Sequence, residues 1–160
     1  MALLLSASLG LAGCGGGSGD NDNDNDNDNH SAGQETHQEI ASSNGALMSP
    51  GEDCVACHRA GGSAAEHPFS IGGTIYASAQ APAGAGIAGV TVVVTDARGQ
   101  TVTMTTNAAG NFYSTAALAM PLQAAHVVRD GVRRSMGTSS FAGACASCHS
   151  PTATGRIYAN

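Results

Sequence analysis

Several residue types and patterns that small proteins commonly use are scarce in this chain or missing from it. Tryptophan is absent, aromatic residues make up 4% of the sequence, and charged residues make up 11%. A core built from these side chains alone would be thin. Apolar residues do not recur with the period of an amphipathic helix, and the apolar run near the N-terminus is too short to span a bilayer. The sequence also offers no Ser/His/Asp or paired-carboxylate arrangement, so an enzyme is not expected.

Acidic residues are concentrated near the N-terminus. Aspartate and asparagine alternate from Asp20 to Asn29, and almost no apolar residue occurs up to Asn44. Residues 14–45 are therefore predicted to form a disordered, extended tether that reaches on the order of 30 Å or more. An Asp/Asn run can also bind Ca²⁺, but this one lacks the glycine-patterned loop of calcium repeats. Seven of the 12 acidic residues lie here, which leaves five against six arginines. No nucleic-acid partner is expected for the nearly neutral remainder.

One cysteine-containing pentapeptide occurs twice. It reads Cys-Val-Ala-Cys-His at 54–58 and Cys-Ala-Ser-Cys-His at 145–149, and the two copies use all but one of the five cysteines. C-x-x-C-H is the attachment signature of c-type haem: two thiols bond to the porphyrin edge and the adjacent His binds the iron. The sequence therefore predicts two covalently bound haems c. The predicted residues are Cys54, Cys57, Cys145 and Cys148 for attachment, with His58 and His149 as proximal ligands.

Paired cysteines have two other common uses. Four cysteines in two C-x-x-C pairs can close a structural zinc site, and a single pair can be a redox-active dithiol. A zinc module does not need His directly after both pairs, and the gap between these pairs is unusually wide. A thioredoxin-like protein requires a βαβ context, which is missing. Covalent haem is preferred, and a zinc-stapled structural or adhesion lipoprotein is the alternative.

The fifth cysteine, Cys14, follows an apolar run of the length of a signal-peptide core. The sequence Leu-Ala-Gly-Cys at 11–14 resembles the lipobox of bacterial lipoproteins. This resemblance implies a signal peptide at 1–13, cleavage before Cys14, and attachment of lipid to that cysteine. No Lys or Arg precedes the apolar run, which departs from the family and leaves the start of the signal open. The expected location is outside the cytoplasm, lipid-anchored in the periplasm or at the outer membrane or cell surface.

Residues 46–160 are predicted to form one mainly β domain. Val90–Thr95 is almost entirely β-branched, with alternate valines on one face, and a turn leads from it into the alternating segment Thr101–Thr106. A second hairpin is predicted around Arg129-Asp130-Gly131. Several short strands at regular spacing indicate a small β-sandwich, flanked here by the two motifs. The predicted strands are 69–76, 90–95, 101–106, 112–114, 126–128 and 132–136, and the predicted core is Val92, Val94, Val102 and Phe112.

Short motifs within this β region resemble the carboxypeptidase regulatory-like, transthyretin-like sandwich. They are Gly73-Thr74-Ile75-Tyr76, the Gly86–Val92 hairpin, Asp96 with Gly99, and Thr106–Phe112. The looser Ala79–Gly86 segment departs from the family pattern. The resemblance implies a scaffold or interaction fold without catalysis. A C-x-x-C-H motif on either side of such a sandwich resembles small exported dihaem cytochromes.

The sequence does not decide which residue is the second axial ligand of each iron. His67 is the candidate for the first haem, because the loop 59–66 is long enough to pass round a haem edge. Met136, nine residues before Cys145, and His126 on the neighbouring strand are rival candidates for the second haem. The remaining candidates are His30, His37, Met48, Met104 and Met120. Arg59, Arg133 and Arg134 are candidate partners of haem propionates.

These features predict an electron-transfer protein that exchanges electrons with redox partner proteins and can form oligomers. A haem-based sensor is a further alternative, and it would need an iron with one open coordination position. Dihaem peroxidases are far longer chains with acid–base groups near an open iron. Both haems are expected on the sandwich surface, close to one another, because the termini of a small domain often lie near each other.

Overall fold

Short β-strands dominate the regular structure of the chain. The computed structural model describes residues 47–160, so the predicted signal peptide, tether and lipidation site, with His30 and His37, lie outside the described residues. The strands are β1 (Ile71–Thr74), β2 (Thr91–Thr95), β3 (Thr101–Thr105), β4 (Asn111–Ser114), β5 (Ala124–Arg129) and β6 (Val132–Ser135); the helical turns are α1 (Cys54–Cys57) and a 3₁₀ turn (Cys145–Ser147). The mainly β prediction is confirmed. Within this range no helix is long and apolar enough to cross a membrane.

The strands form two antiparallel sheets, as expected for a β-sandwich. One sheet pairs β1 with β4, and the other has the order β3-β2-β5-β6. Both predicted hairpins are present, because β2 pairs with β3 and β5 pairs with β6. The second hairpin turns through Asp130 and Gly131, whose φ angles of 50° and 78° lie in the left-handed region that tight two-residue hairpins require.

The core lies between the inner faces of the two sheets. Val90, Val92 and Val94 are buried along one face of β2, as the alternation predicts. Phe112 on β4 is also buried, and Val102 on β3 is half-buried against the cluster. The predicted core is therefore confirmed. It also includes Ile71, Ile75, Met104, Leu122, Val127 and Ala159.

Strand β1 has a second neighbour besides β4, and that neighbour is the chain on either side of the second motif. Before the motif, Gly143 O accepts a hydrogen bond from Gly72 N at 3.0 Å. After it, Ile157 O accepts from Tyr76 N at 2.9 Å, and Ala159 N donates to Tyr76 O at 3.0 Å. These main-chain bonds attach the segment before the second motif to β1 and the segment after it to Tyr76, two residues beyond the end of β1.

Candidate functional site

The two C-x-x-C-H motifs have the same local structure. Each forms one helical turn, in which the histidine N–H donates to the carbonyl of the first cysteine at 2.9 Å. The thiol of each first cysteine donates to a carbonyl two residues earlier, from Cys54 to Glu52 at 3.7 Å and from Cys145 to Gly143 at 3.6 Å. Asp53 caps the first turn by accepting from Ala56 N. The turn brings both cysteines and the histidine of a motif to one short segment.

Both motif histidines are oriented by a main-chain carbonyl. His58 Nδ1 lies 2.8 Å from His67 O, and His149 Nδ1 lies 3.2 Å from Gly155 O. A carbonyl oxygen can only accept, so Nδ1 carries the proton in each ring. In the neutral ring Nε2 then has a free lone pair, which is the state that a metal-binding imidazole needs.

The loop after each motif folds back onto it. In the first motif Ala64 N donates to Cys57 O at 3.1 Å, and Phe69 N donates to His58 O at 2.7 Å. In the second motif Thr154 N donates to Cys148 O at 3.2 Å. The loop 59–66 therefore packs against its own motif. The sequence-based hypothesis was that this loop passes round a haem edge.

This arrangement changes the role expected of His67. Its main chain lies on the Nδ1 side of the His58 ring, opposite the Nε2 atom that would face a metal. An imidazole attached there would have to reach around the whole group bound at His58. The His67 side chain is exposed, so the contact between His67 and His58 does not use the His67 imidazole. The His67 carbonyl orients His58 instead.

Two adjacent glycines of β1 separate the motifs. A Cβ atom at Gly72 would lie 2.9 Å from Cys54 Cβ, and one at Gly73 would lie 2.9 Å from Cys145 Cβ. Successive residues of a strand point to opposite faces. Cys54 therefore packs on the outer face of the β1–β4 sheet and Cys145 on the inner face. At both positions a Cβ would lie closer to its neighbour than van der Waals contact allows, so that one of the two would have to shift.

The first motif lies against an aromatic stack on the outer face. The His58 ring stacks on Phe69 with centroids 4.0 Å apart, and Phe69 stacks on Tyr113 with centroids 4.2 Å apart. His58 is buried. The segment before the motif is fixed by Thr74, whose hydroxyl accepts from Gly51 N at 2.8 Å. This hydroxyl also donates to Asn111 Oδ1 at 2.7 Å.

The second motif borders a cavity of about 620 Å³ between the sheets. Cys145, Cys148 and His149 lie on its wall, and inner-face residues of both sheets complete it, including Val92, Val94 and Phe112. The volume falls in the range of small-molecule and cofactor pockets. The second motif therefore faces core residues, and the expected position of both haems on the sandwich surface stays a prediction.

Two arginines border this cavity. Arg134 donates to Asn160 O at 2.7 Å and lies 4.0 Å from the centroid of the Tyr158 ring, and Arg156 lies 4.3 Å from the Tyr76 ring centroid. Neither forms an ion pair with an acidic side chain within residues 47–160. Of the arginines named from sequence, Arg134 lies at the cavity and Arg59 is exposed elsewhere. Arg156 was missed, although its position seven residues after His149 was the available signal.

The motif thiols differ in environment. Burial, with smaller effects from Cys54 and Asp53, raises the pKa of the Cys145 thiol to about 12. Burial also raises the pKa of Cys54, whereas Cys148 is exposed. Cys57 is disulfide-bonded, so any thioether at that position requires the disulfide to be reduced first.

The other candidate ligands are distributed over the domain. Met136 and His126 both border the cavity. Met104 is buried in the core, whereas Met48 and Met120 are exposed. Of the sequence-predicted candidates, Met136 and His126 therefore border the same cavity as the second motif.

Comparison of the chain with models of protein families, with curated protein sequences and with solved structures finds no match.

Proposed function

We propose that this protein is an exported, lipid-anchored electron-transfer protein that carries two covalently bound haems c. The observation that carries the proposal is the shared geometry of the two motifs. In both, the two cysteines and the histidine lie on one helical turn, and a carbonyl accepts from Nδ1 so that Nε2 has a free lone pair. Covalent haem attachment with a proximal histidine requires this set of groups.

The surroundings of the second motif also fit a porphyrin. The cavity beside Cys145, Cys148 and His149 is lined largely by apolar side chains, as a macrocycle requires. Arg134 and Arg156 border the same cavity without acidic partners among the described residues. Guanidinium groups pair well with carboxylates, so these arginines would hold the propionates. At the first motif the Phe69–Tyr113 stack offers an apolar surface on the opposite face of the sheet.

The placement of the motifs suits electron exchange between them. Bound haem supplies a reversible one-electron iron couple. Gly72 and Gly73 are neighbours in one strand, with Cα atoms about 3.8 Å apart, and each contacts the first cysteine of a different motif. The protein's own contribution is to fix each histidine through Nδ1 and to keep the two motifs on either side of one strand.

A shared zinc site is less well supported. Zinc held by two C-x-x-C pairs needs all four sulfurs within about 2.3 Å of one ion. Here Cys54 and Cys145 pack on opposite faces of β1, so the strand lies between the first cysteines of the two pairs. The zinc-stapled structural or adhesion lipoprotein is therefore the weaker candidate.

The transthyretin-like type of the β-sandwich is part of the same proposal. Two of the segments that carry the transthyretin-like resemblance, Gly86–Val92 and Thr106–Phe112, lie side by side, because a Cβ at Gly86 would overlap with Ala109 O. This close approach supports the resemblance, as does the predicted pair of hairpins. Redox partner proteins and attachment of the chain through Cys14 complete the proposed role.

Haem content and coordination test the proposal. Protein matured with haem-attachment machinery should retain two haems per chain after denaturation, measured by the pyridine haemochrome spectrum. Replacing Cys54 and Cys57 by Ala should leave one haem, and so should replacing Cys145 and Cys148. Recovery of zinc in place of iron, or loss of haem on denaturation, would refute the proposal.

A further inference from the structure

The sheet register distinguishes between the two candidate ligands that border the inner cavity. On β5, Val127 is buried in the core and pairs with Val92, so it points to the inner face. His126, the preceding residue, points to the outer face, where it pairs with Val93 and Ser135. Burial and the Arg133 charge lower the pKa of His126, and Arg133 pairs with Val128 on the same outer face.

Met136 is on the opposite face from His126. Arg134 pairs with Val127 and therefore points inward. Met136 lies two residues further along, and its N–H continues the ladder by donating to Ala125 O at 2.8 Å. Its side chain therefore points inward beside the cavity that Cys148 and His149 also border.

From this geometry we infer that Met136 would supply the second iron ligand to a haem held at the second motif by His149, and that His126 would not. The inference rests on the proposed function, since it needs a haem at the second motif. The thioether sulfur is a suitable soft ligand for haem iron, and Met/His coordination raises the reduction potential. The apolar cavity acts in the same direction, because burial disfavours the additional positive charge of ferric iron. The inner site should therefore have the higher potential of the two.

Met136→Leu is the decisive variant, because leucine conserves volume but cannot bind iron. Met104→Leu is the matched control, since Met104 is buried in the same sheet and does not border the cavity. His126→Ala tests the rival ligand. Each purified full-length protein is first shown to carry two covalent haems. The near-infrared sulfur-to-iron charge-transfer band of the oxidised protein and the CO bound per chain after reduction are then measured.

Met136→Leu should abolish the charge-transfer band, add one CO-binding haem per chain, and lower the potential of one haem. Met104→Leu and His126→Ala should leave all three properties unchanged. A protein with two haems that lacks the band, or a band that survives Met136→Leu, would overturn the inference while leaving the proposed function intact. Opening of the inner site by His126→Ala would do the same. If Met136→Leu loads haem poorly, Met136→His offers a second test, because replacing sulfur by nitrogen should remove the band while keeping the site closed to CO. A protein without two covalent haems would instead refute the proposed function.

Discussion

A methyl group added at Gly73 should disturb the second motif more strongly than one added at Gly72 disturbs the first. At Gly73 the new Cβ would lie 2.9 Å from Cys145 Cβ and 3.0 Å from Phe112 Cζ. At Gly72 it would lie 2.9 Å from Cys54 Cβ, with Cys54 Sγ next at 3.4 Å. The inner contacts involve a buried ring that cannot move freely, whereas the outer contact involves a surface helical turn that can shift.

The difference can be expressed as free energy of unfolding. Overpacking a core by one carbon typically costs about 1–3 kcal/mol, and replacing a strand glycine by alanine recovers about 0.5–1 kcal/mol of backbone entropy. Gly73→Ala should therefore destabilise the protein by about 1–2 kcal/mol, a fall in Tm of about 4–8 °C. Gly72→Ala should cost less than about 1 kcal/mol.

Chemical denaturation and haem content together provide the assay. Gly84→Ala is the control, because a Cβ at Gly84 meets no atom within 4 Å and its φ is not left-handed; its effect should stay within about 0.5 kcal/mol. In matured protein Gly73→Ala should reduce haem at the second motif, and Gly72→Ala should affect the first. Two variants with unchanged stability and full haem content would show that β1 does not hold the motifs by close contact.

Three further measurements follow from the same structure. The pKa of Asp96 is lowered, chiefly by the hydrogen bond from the backbone N–H of Ala119. The Asp96 carboxylate therefore stabilises the fold fully above the ordinary pKa of 3.8, and this stabilisation is lost as the pH falls through the lower pKa of the folded protein. Asp96→Asn should therefore reduce stability at neutral pH and flatten its acid dependence, measured by denaturant midpoints, and a parallel loss at every pH would contradict this. In protein without haem, alkylation should label the exposed Cys148 far faster than Cys145, because burial raises the pKa of the Cys145 thiol to about 12 and so lowers its thiolate fraction; equal rates would contradict this difference in environment. Cys14→Ala should move the protein from the membrane fraction to the soluble fraction, and continued membrane retention would argue against lipid at that residue.

Local features of the fold were predictable from the sequence, and long-range ones were not. The β2–β3 and β5–β6 hairpins join neighbouring segments, so alternation and turn residues indicated them. The pairing of β1 with β4 joins residues about forty positions apart, as between Ile71 and Ser114, and no local pattern encodes that choice. The inner cavity depends on this pairing and on the attachment of the second motif to β1.

The same distinction between local and long-range features applies to the candidate site. The cysteines and histidines of the motifs could be named because their chemistry depends on spacing alone. The role of His67 could not, because it depends on the direction in which the loop after His58 folds. The choice between His126 and Met136 likewise needed the register of β5 and β6, since residues in adjacent strands share a face only when they are aligned. The Gly72-Gly73 pair was visible as a sequence feature, but its contacts required the fold.

The attachment of the second motif to β1 also bears on solubility. An unpaired strand edge offers a row of N–H and C=O groups to which another chain can add, and native proteins commonly cover such edges. Here Gly143, Ile157 and Ala159 occupy hydrogen-bonding positions along the edge of β1 and Tyr76. The segments on either side of the second motif therefore cover this edge and prevent another chain from pairing with it. A change that releases them would expose the edge to self-association, whatever the second motif binds.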